Sequence, residues 1–348
     1  MKVLILPKYD SNGASSRYRF YNYLTYFESN GVQCFFKPLL EAGYTTNLYN
    51  KRKVLVFLQQ ILAVFKRFFF LLNNDTKYDL IIIEKELFPN VPYFVEEFLL
   101  KNSRYALDFD DYVAFDYKLN SFKRPLLCNK IDQLARKAQF VTVGNHWYFD
   151  EIKSSNLIYL PTVIDLDCYT NVKQNYNAEK ITLVWIGSPS TAKYLSLIIP
   201  VLQRLNEKYP IKFKVIGAKI PQVENLEIDL VHWNAETEAK ELLSSDIGVM
   251  PLKETLWEKG KCGFKLVQYM ACGLPVVASA LPANIEIVED GSEGYIVRND
   301  KEWYHSLEKL IVDENLRRKF GQAGRKKIED DYSYQIWGDK YLKMIKDA

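Results

Sequence analysis

The sequence is poor in the residues that cross-link or metallate small folds: its 348 positions hold five cysteines and three histidines. The cysteines, Cys34, Cys128, Cys168, Cys262 and Cys272, are odd in number, widely spaced and without a CxxC pair. That pattern excludes a disulfide framework or a structural metal site and fits a reduced, intracellular chain. An excess of one charge is also missing. With 46 basic and 43 acidic residues the formal net charge is +3, too small an imbalance for a dedicated nucleic-acid binder, so no nucleic-acid partner is expected. The longest uncharged, mostly apolar run, Val54 to Phe65, falls below the roughly 18 residues of a membrane span, and no transmembrane helix is predicted. The opening MKVLILPKYD passes from one lysine into a short apolar run with no small-residue cleavage pattern, so it reads as a first strand and not as a signal peptide. No repeat at a solenoid period is found.

What is present is an ordinary globular composition, 48% hydrophobic and 26% charged, with a surplus of aromatics: 24 Tyr and 20 Phe. At roughly 150 residues per domain the length predicts two domains. Short aliphatic runs alternate with helical patterns, the signature of parallel sheets covered on both faces. Strands are predicted at Lys2 to Leu6, Val32 to Phe36, Leu80 to Ile83, Tyr105 to Phe109, Phe140 to Val143 and Leu157 to Leu160, with a helix over Tyr18 to Ser29. The aperiodic stretch Thr170 to Lys180 then serves as a linker. Beyond it the pattern restarts with strands at Ile181 to Ile186, Phe213 to Ile216, Ile247 to Met250 and Pro275 to Ala278, and helices over Glu236 to Ser244 and Phe264 to Ala271. The reading is α/β, with two Rossmann-like domains at 1–172 and 173–332, the first completed by a C-terminal helix over about 333–348.

The most informative segment is GKCGFKLVQYMACGLPVVASA, Gly260 to Ala280. A glycine turn, Gly263, opens a helix at Phe264; the first-turn NH groups and the helix dipole can hold an anion, and Lys265 adds a charge there. Gln268 follows nearly one turn after Lys265, on the same side.

This segment resembles the C-terminal domain of the retaining GT-B glycosyltransferases of the glycosyl transferases group 1 type, a group that includes many bacterial polysaccharide and lipid-linked sugar transferases. QYMACGLPVVAS matches the family's tail, and Gly263 its motif glycine. The family's second acidic position, which usually holds the ribose hydroxyls, falls on Gln268. Its first falls on Gly260, with Glu258 two places away as a substitute. The resemblance extends to Trp185-Ile186-Gly187-Ser188, where Ser188 replaces an arginine, to Lys193, and to Trp233, which would flank the base. It implies two facing domains with an interdomain cleft and transfer, with retention, from a nucleotide-sugar donor to a saccharide or lipid-linked acceptor. The setting implied is surface polysaccharide or glycolipid synthesis in the cytoplasm or at the inner face of its membrane. The donor is a substrate, and no cofactor or metal is expected, because Lys193 and Lys265 would neutralise the diphosphate leaving group. In the first domain Gly13 and Arg17 correspond to the family's glycine loop and arginine. Arg17, Arg19 and Asp111 are placed on the acceptor side, and Asp110 stands where the family has a histidine near the reacting sugar. Catalysis is assigned to Asp110, Lys265 and Arg17. His146, beside Trp147, is a second histidine position or a packed residue.

Three rival readings remain. Asp108-Phe109-Asp110 spells the DxD with which GT-A transferases hold a divalent cation. A GT-B-fold sugar-nucleotide epimerase is a second, and a non-catalytic nucleotide-binding partner of another transferase, motivated by Gly260, a third. Separately, residues 51–72 form a segment with a basic start, Lys51 to Lys53. Over Val54 to Leu72 its only polar residues are Gln59, Gln60, Lys66 and Arg67, spaced by seven into one narrow stripe. Such a helix is either deeply buried or lies in a membrane interface.

Overall fold

The computed structural model describes residues 1–41, 43–49, 52–73, 77–173 and 180–348. Lys51 and linker residues 174–179 lie outside them. The chain divides into two compact units. Unit 1 comprises 1–162, 260–262 and 337–348; unit 2 comprises 163–259 and 263–336.

Unit 1 is built on a parallel sheet of six strands: β1 (Lys2–Leu6), β2 (Gln33–Phe36), β3 (Leu80–Glu84), β4 (Tyr105–Phe109), β5 (Val141–Val143) and β6 (Leu157–Tyr159). Their order is β2-β1-β3-β4-β5-β6. Strands β3 and β4 are buried along their whole length, as near-continuous apolar runs are when helices cover both faces. The helix expected over Tyr18 to Ser29 is instead α1 (Ala14–Arg19), a short 3-10 turn and α2 (Leu24–Ser29). The break falls at Phe20, φ −136°, whose ring is fully buried. From the far end of the chain, Tyr341 closes on Tyr23 and Phe27 in edge contacts at 5.2 and 5.3 Å, and Trp337 meets Tyr159 at 5.6 Å. Part of the aromatic surplus is spent here.

Unit 2 carries a second six-stranded parallel sheet: β7 (Ile181–Ile186), β8 (Ile211–Ile216), β9 (Glu227–Val231), β10 (Ile247–Met250), β11 (Val276–Ser279) and β12 (Gly294–Val297). The order is β12-β11-β10-β7-β8-β9, the Rossmann arrangement. Separate apolar clusters pack its two faces, one around Leu266, Tyr269 and Met270, the other around Leu202, Phe213 and Leu307.

Between β2 and β3 lie α3 (Tyr44–Tyr49) and α4 (Lys53–Leu72). Lys66 and Arg67 interrupt the apolar run of α4 without ending its helix. Its 20 residues are by length and composition alone enough to cross a membrane, a longer apolar stretch than the uninterrupted run in the sequence. Nor is it deeply buried: Val54 is 73% exposed, Phe57 61%, Phe65 57% and Phe69 58%. Gln60, itself exposed, donates to Tyr44 Oη at 2.7 Å, and the buried Arg67 donates to the carbonyls of Pro7 and Lys37 at 2.8 Å each. Of the polar stripe Arg67 turns into the protein, Gln59 is half-buried, and Gln60 and Lys66 stay exposed beside an outward face that is mostly apolar.

Candidate active site

In unit 2 the strand order reverses between β10 and β7, and open parallel sheets bind ligands beyond the carboxyl ends of the strands at such a point. Strand β7 ends there in Gly187. A Cβ on Gly187 would lie 2.7 Å from the Trp185 ring and 2.9 Å from Lys265 Cε, so the bare backbone lets Lys265 come close. Gly217, at φ +85°, leads from β8; a Cβ on it would meet the Gly187 carbonyl at 2.6 Å and Trp233 Cβ at 3.2 Å. Three glycine-dependent approaches therefore bring Gly187, Trp233 and Lys265 to one place. The helix Phe264–Ala271 starts from Gly263 at φ 67°, where a side chain would collide with Ile287 at 2.4 Å. Its first turn carries Phe264 and Lys265, whose ammonium lies 5.0 Å from the centre of the Trp185 ring.

Behind them sits a carboxylate that sequence reasoning missed. Glu238, almost fully buried, accepts from Tyr169 Oη at 2.6 Å, from Gln268 Nε2 at 2.7 Å and from Trp233 Nε1 at 2.5 Å or less. Two of the expected donor residues, Gln268 and Trp233, are thus oriented by one anion. The contacts joining these residues do not include Lys193, which is exposed with its ammonium 5.0 Å from the Tyr194 ring. Ser188 bonds to Ser190 at 2.8 Å. Glu258 is buried and accepts from the hydroxyls of Tyr194 and Thr255.

Unit 1 has its own polar cluster at the carboxyl ends of β1, β3 and β4, where its strand order also reverses. Gly13 lets α1 begin against Tyr9, whose Cβ would be 2.4 Å from a side chain there. The serines that follow turn to Glu84, at the end of β3: Ser15 Oγ at 2.8 Å and Ser16 Oγ at 2.6 Å, with the Lys8 amide at 2.7 Å. Ser15 also bonds Asp110. Lys85, held at φ 67°, is buried among three carboxylates: Asp110 at 2.8 Å, Asp111 at 3.0 Å and Glu84 at 3.8 Å. A non-glycine residue at positive φ stores strain of a kind that collects at functional sites. Lys261 reaches Asp111 at 3.3 Å from a segment, Gly260–Cys262, that folds with unit 1.

Burial raises the Glu84 carboxyl, more than Lys85 and the serine bonds lower it. Burial acts the same way on Asp111, but Lys85 and Lys261 prevail there and hold its carboxyl well below the usual range. For Lys85 burial opposes the charge, and Asp110, Asp111 and Glu84 overcome it. With Glu84 ionised the cluster has three negative and two positive charges; one proton on Glu84 neutralises it.

Other expected residues are placed differently. Arg19 is not offered to a ligand: it is buried on Asp108, with Nε 3.0 Å from Oδ2, and donates to the Leu160 carbonyl at 2.6 Å. This corrects its placement on the acceptor side. It also removes Asp108 from a DxD cation site, because both carboxylate oxygens face the guanidinium. Arg17 is half-buried, over the Tyr18 ring at 4.8 Å. His146 is stacked on Tyr159 at 4.3 Å, a packed residue. Gly260 has a steric reason: a Cβ would fall 2.5 Å from Tyr112 Cβ and 2.9 Å from Tyr148 Oη. The cluster's missed members, Glu84 and Lys85, had a signal in IIIEKE, charges directly after a fully apolar strand.

Residues 170–327 match the family described as Glycosyl transferases group 1. The capsular polysaccharide biosynthesis glycosyltransferase CapM of Staphylococcus aureus is 36% identical over 72 residues, 20% of this chain and 19% of that protein. The N-acetyl-alpha-D-glucosaminyl L-malate synthase of Bacillus anthracis is 24% identical over 177 residues, 47% of this chain and 45% of that one. The chain thus aligns with less than half the length of these curated relatives. HepE of Anabaena, solved in complex with UDP and glucose, superposes with a TM-score of 0.74 at 14% identity, covering 100% of both chains. The chain thus has the two-domain GT-B fold throughout, and its residues 170–327 match the glycosyl transferases group 1 family.

Proposed function

We propose that this chain transfers a glycosyl group, with retention and without a metal, from a nucleoside diphosphate sugar to a saccharide or lipid-linked acceptor in the building of a surface polysaccharide or glycolipid. The observation that carries the reading is the convergence of Gly187, Trp233 and Lys265 at the switch point of the second sheet. The start of the helix Phe264–Ala271 offers NH groups to an anion there. The UDP bound by HepE makes uridine diphosphate the first nucleotide to test.

In this mechanism the bond from the sugar's anomeric carbon to the diphosphate breaks, with the electron pair leaving on the phosphate oxygen. Lys265 and Lys193 stabilise that charge. The acceptor hydroxyl forms the new bond and passes its proton to the departing phosphate, so no protein nucleophile is needed. Gln268, held by Glu238, serves the ribose, and Trp233 flanks the base. On unit 1, Asp110 and Arg17 serve the sugar and acceptor, with Gly13 and Asp111 shaping the acceptor side. Helix α4 rests on the inner face of the cytoplasmic membrane: its outward residues are mostly apolar, it contains no acidic residue, and Arg52 and Lys53 stand at its start.

The test is Lys265→Ala, assayed for nucleotide-sugar hydrolysis and transfer. A loss on the scale of one electrostatic donor, about 10²–10³-fold in rate, is expected. An unchanged rate overturns the phosphate role, and UDP binding without turnover in the parent chain overturns the transferase reading.

A further inference from the structure

Beneath α4 lies a cavity of about 320 Å³, at the small end for ligand pockets. It is walled by α4 and by the segment that leaves β2. Lys37, Lys66 and Arg67 line it with positive charge, and Glu41, 3.7 Å from Lys66, is the one carboxylate among the described lining residues. Arg67 differs from the other two. It is buried with three backbone carbonyls as its partners, those of Pro7, Lys37 and Leu87. Burial lowers its pKa despite the distant carboxylates of Glu84 and Glu96. A buried cation whose hydrogen bonds all go to carbonyls is incompletely compensated, and an anion beside it would complete it. Arg67 and Leu39 also wall a smaller cleft lined by Lys8, Glu84 and Lys85, so the cavity adjoins the cluster read above as the acceptor side.

We propose that this cavity seats the phosphate or diphosphate head of a membrane lipid that carries the acceptor, with the hydrocarbon chain lying along the outward face of α4. The occupant follows from the pairing of features: three cations at the cavity, an exposed apolar helix face next to it with no acidic residue, and a shared wall toward Glu84 and Lys85. A soluble sugar phosphate would use the cations but leave the apolar face of α4 without a purpose. The inference rests on the reading of α4 as a membrane-contact helix, and the experiment separates the two.

The full-length protein is sedimented with vesicles of phosphatidylcholine alone and with the same vesicles doped with farnesyl phosphate. The parent chain should bind both, the doped vesicles more tightly. Lys37→Glu combined with Lys66→Glu, two exposed positions, should remove that increment, at about fivefold per charge neutralised, and leave binding to the plain vesicles. Phe57→Ser combined with Phe65→Ser should weaken both. Retention of the increment in the lysine variant overturns the cavity assignment. So does inorganic phosphate that competes as well as the lipid, which would make this a free-phosphate site. Loss of binding to both vesicle types in the parent chain overturns the membrane reading itself. Self-association of the parent chain in vesicle-free solution, abolished by the phenylalanine variant, would assign the face to a second copy and also overturn the proposal. Lipid binding that persists in a chain found inactive on nucleotide sugars supports the lipid site while the transferase reading fails.

Discussion

Replacing Glu238 by alanine tests whether one buried carboxylate organises the donor half. The side chain is almost fully buried and accepts from Tyr169, Gln268 and Trp233. Each hydrogen bond lost to this buried, charged acceptor costs about 1–3 kcal/mol, least for the half-buried Trp233. Three such losses place Glu238→Ala at about 3 kcal/mol at the low end, against total stabilities of about 5–15 kcal/mol for a domain. Glu238→Gln separates charge from shape. The amide oxygen can take the place of the Oε1 that receives Tyr169 and Gln268, while the amide nitrogen then faces the indole NH of Trp233, so a single bond is lost, at about 1–2 kcal/mol. Urea unfolding, read on the transition that added UDP displaces, gives the stabilities, and calorimetry with UDP gives the affinity. Nucleotide affinity should fall in the same order, because Gln268 and Trp233 lose their anchor. In the Glu238→Gln background, Trp233→Phe should cost much less than it does alone, a coupling that a double-mutant cycle isolates. The reasoning is refuted if Glu238→Ala lies within about 1 kcal/mol of the parent chain, or if the glutamine variant is the less stable of the two.

Substitutions at two further positions probe unit 1. Restoring an acidic residue by Gly260→Glu should not restore a family function but damage the fold, because the first side-chain atom already collides with Tyr112 and Tyr148; even Gly260→Ala should cost about 1–3 kcal/mol, and a parental melting temperature for either would show that the segment yields freely. Glu84→Gln carries a pH signature. Since burial raises the Glu84 carboxyl above its ordinary 4.5, the folded state keeps that proton longer than the unfolded chain, and this contribution to stability disappears as pH rises from 4.5 through the folded value. Asp111, whose folded value is lowered, acts oppositely, its contribution present above the ordinary carboxylate value and lost as pH falls. The amide should remove the first slope and keep the second, so that the variant gains on the parent as pH rises above 4.5. Parallel profiles of unfolding free energy against pH would refute this.

How much of this was legible depended on whether neighbours in the sequence stay neighbours in the fold. Strands β1, β4, β7 and β10 read to the residue, because a strand buried on both faces is a near-continuous apolar run. The edge strands β9, EIDLV, and β12, GYIV, were missed, because an edge mixes charge or glycine into so short a run. Gly187, Lys265 and Gln268 stand out in the sequence because each lies at a glycine turn or on the helix that follows one. Glu84, Lys85, Asp110, Asp111 and Lys261 meet from three distant stretches; IIIEKE and Asp110-Asp111 mark two strand ends, but no local pattern says that they meet.

The adjacent pairs show the limit most sharply. Arg17 and Arg19 belong to one short helix, yet only Arg19 points inward, and sequence spacing cannot say which. The same holds for Asp108 and Asp110, two residues apart in a motif that reads as a cation site. Strand β4 ends at Phe109, between them. Asp108 therefore remains within the sheet, where it accepts from Thr142 on β5 at 2.5 Å and is enclosed by Arg19. Asp110 lies past the strand end, among Ser15 and Lys85. A cation would need both carboxylates turned to one side and released from their partners. That would strand the buried Arg19 guanidinium, a loss of about 3–5 kcal/mol for breaking one buried ion pair. The geometry thus gives the two aspartates different places, one holding the sheet together and one standing past the carboxyl end of its strand.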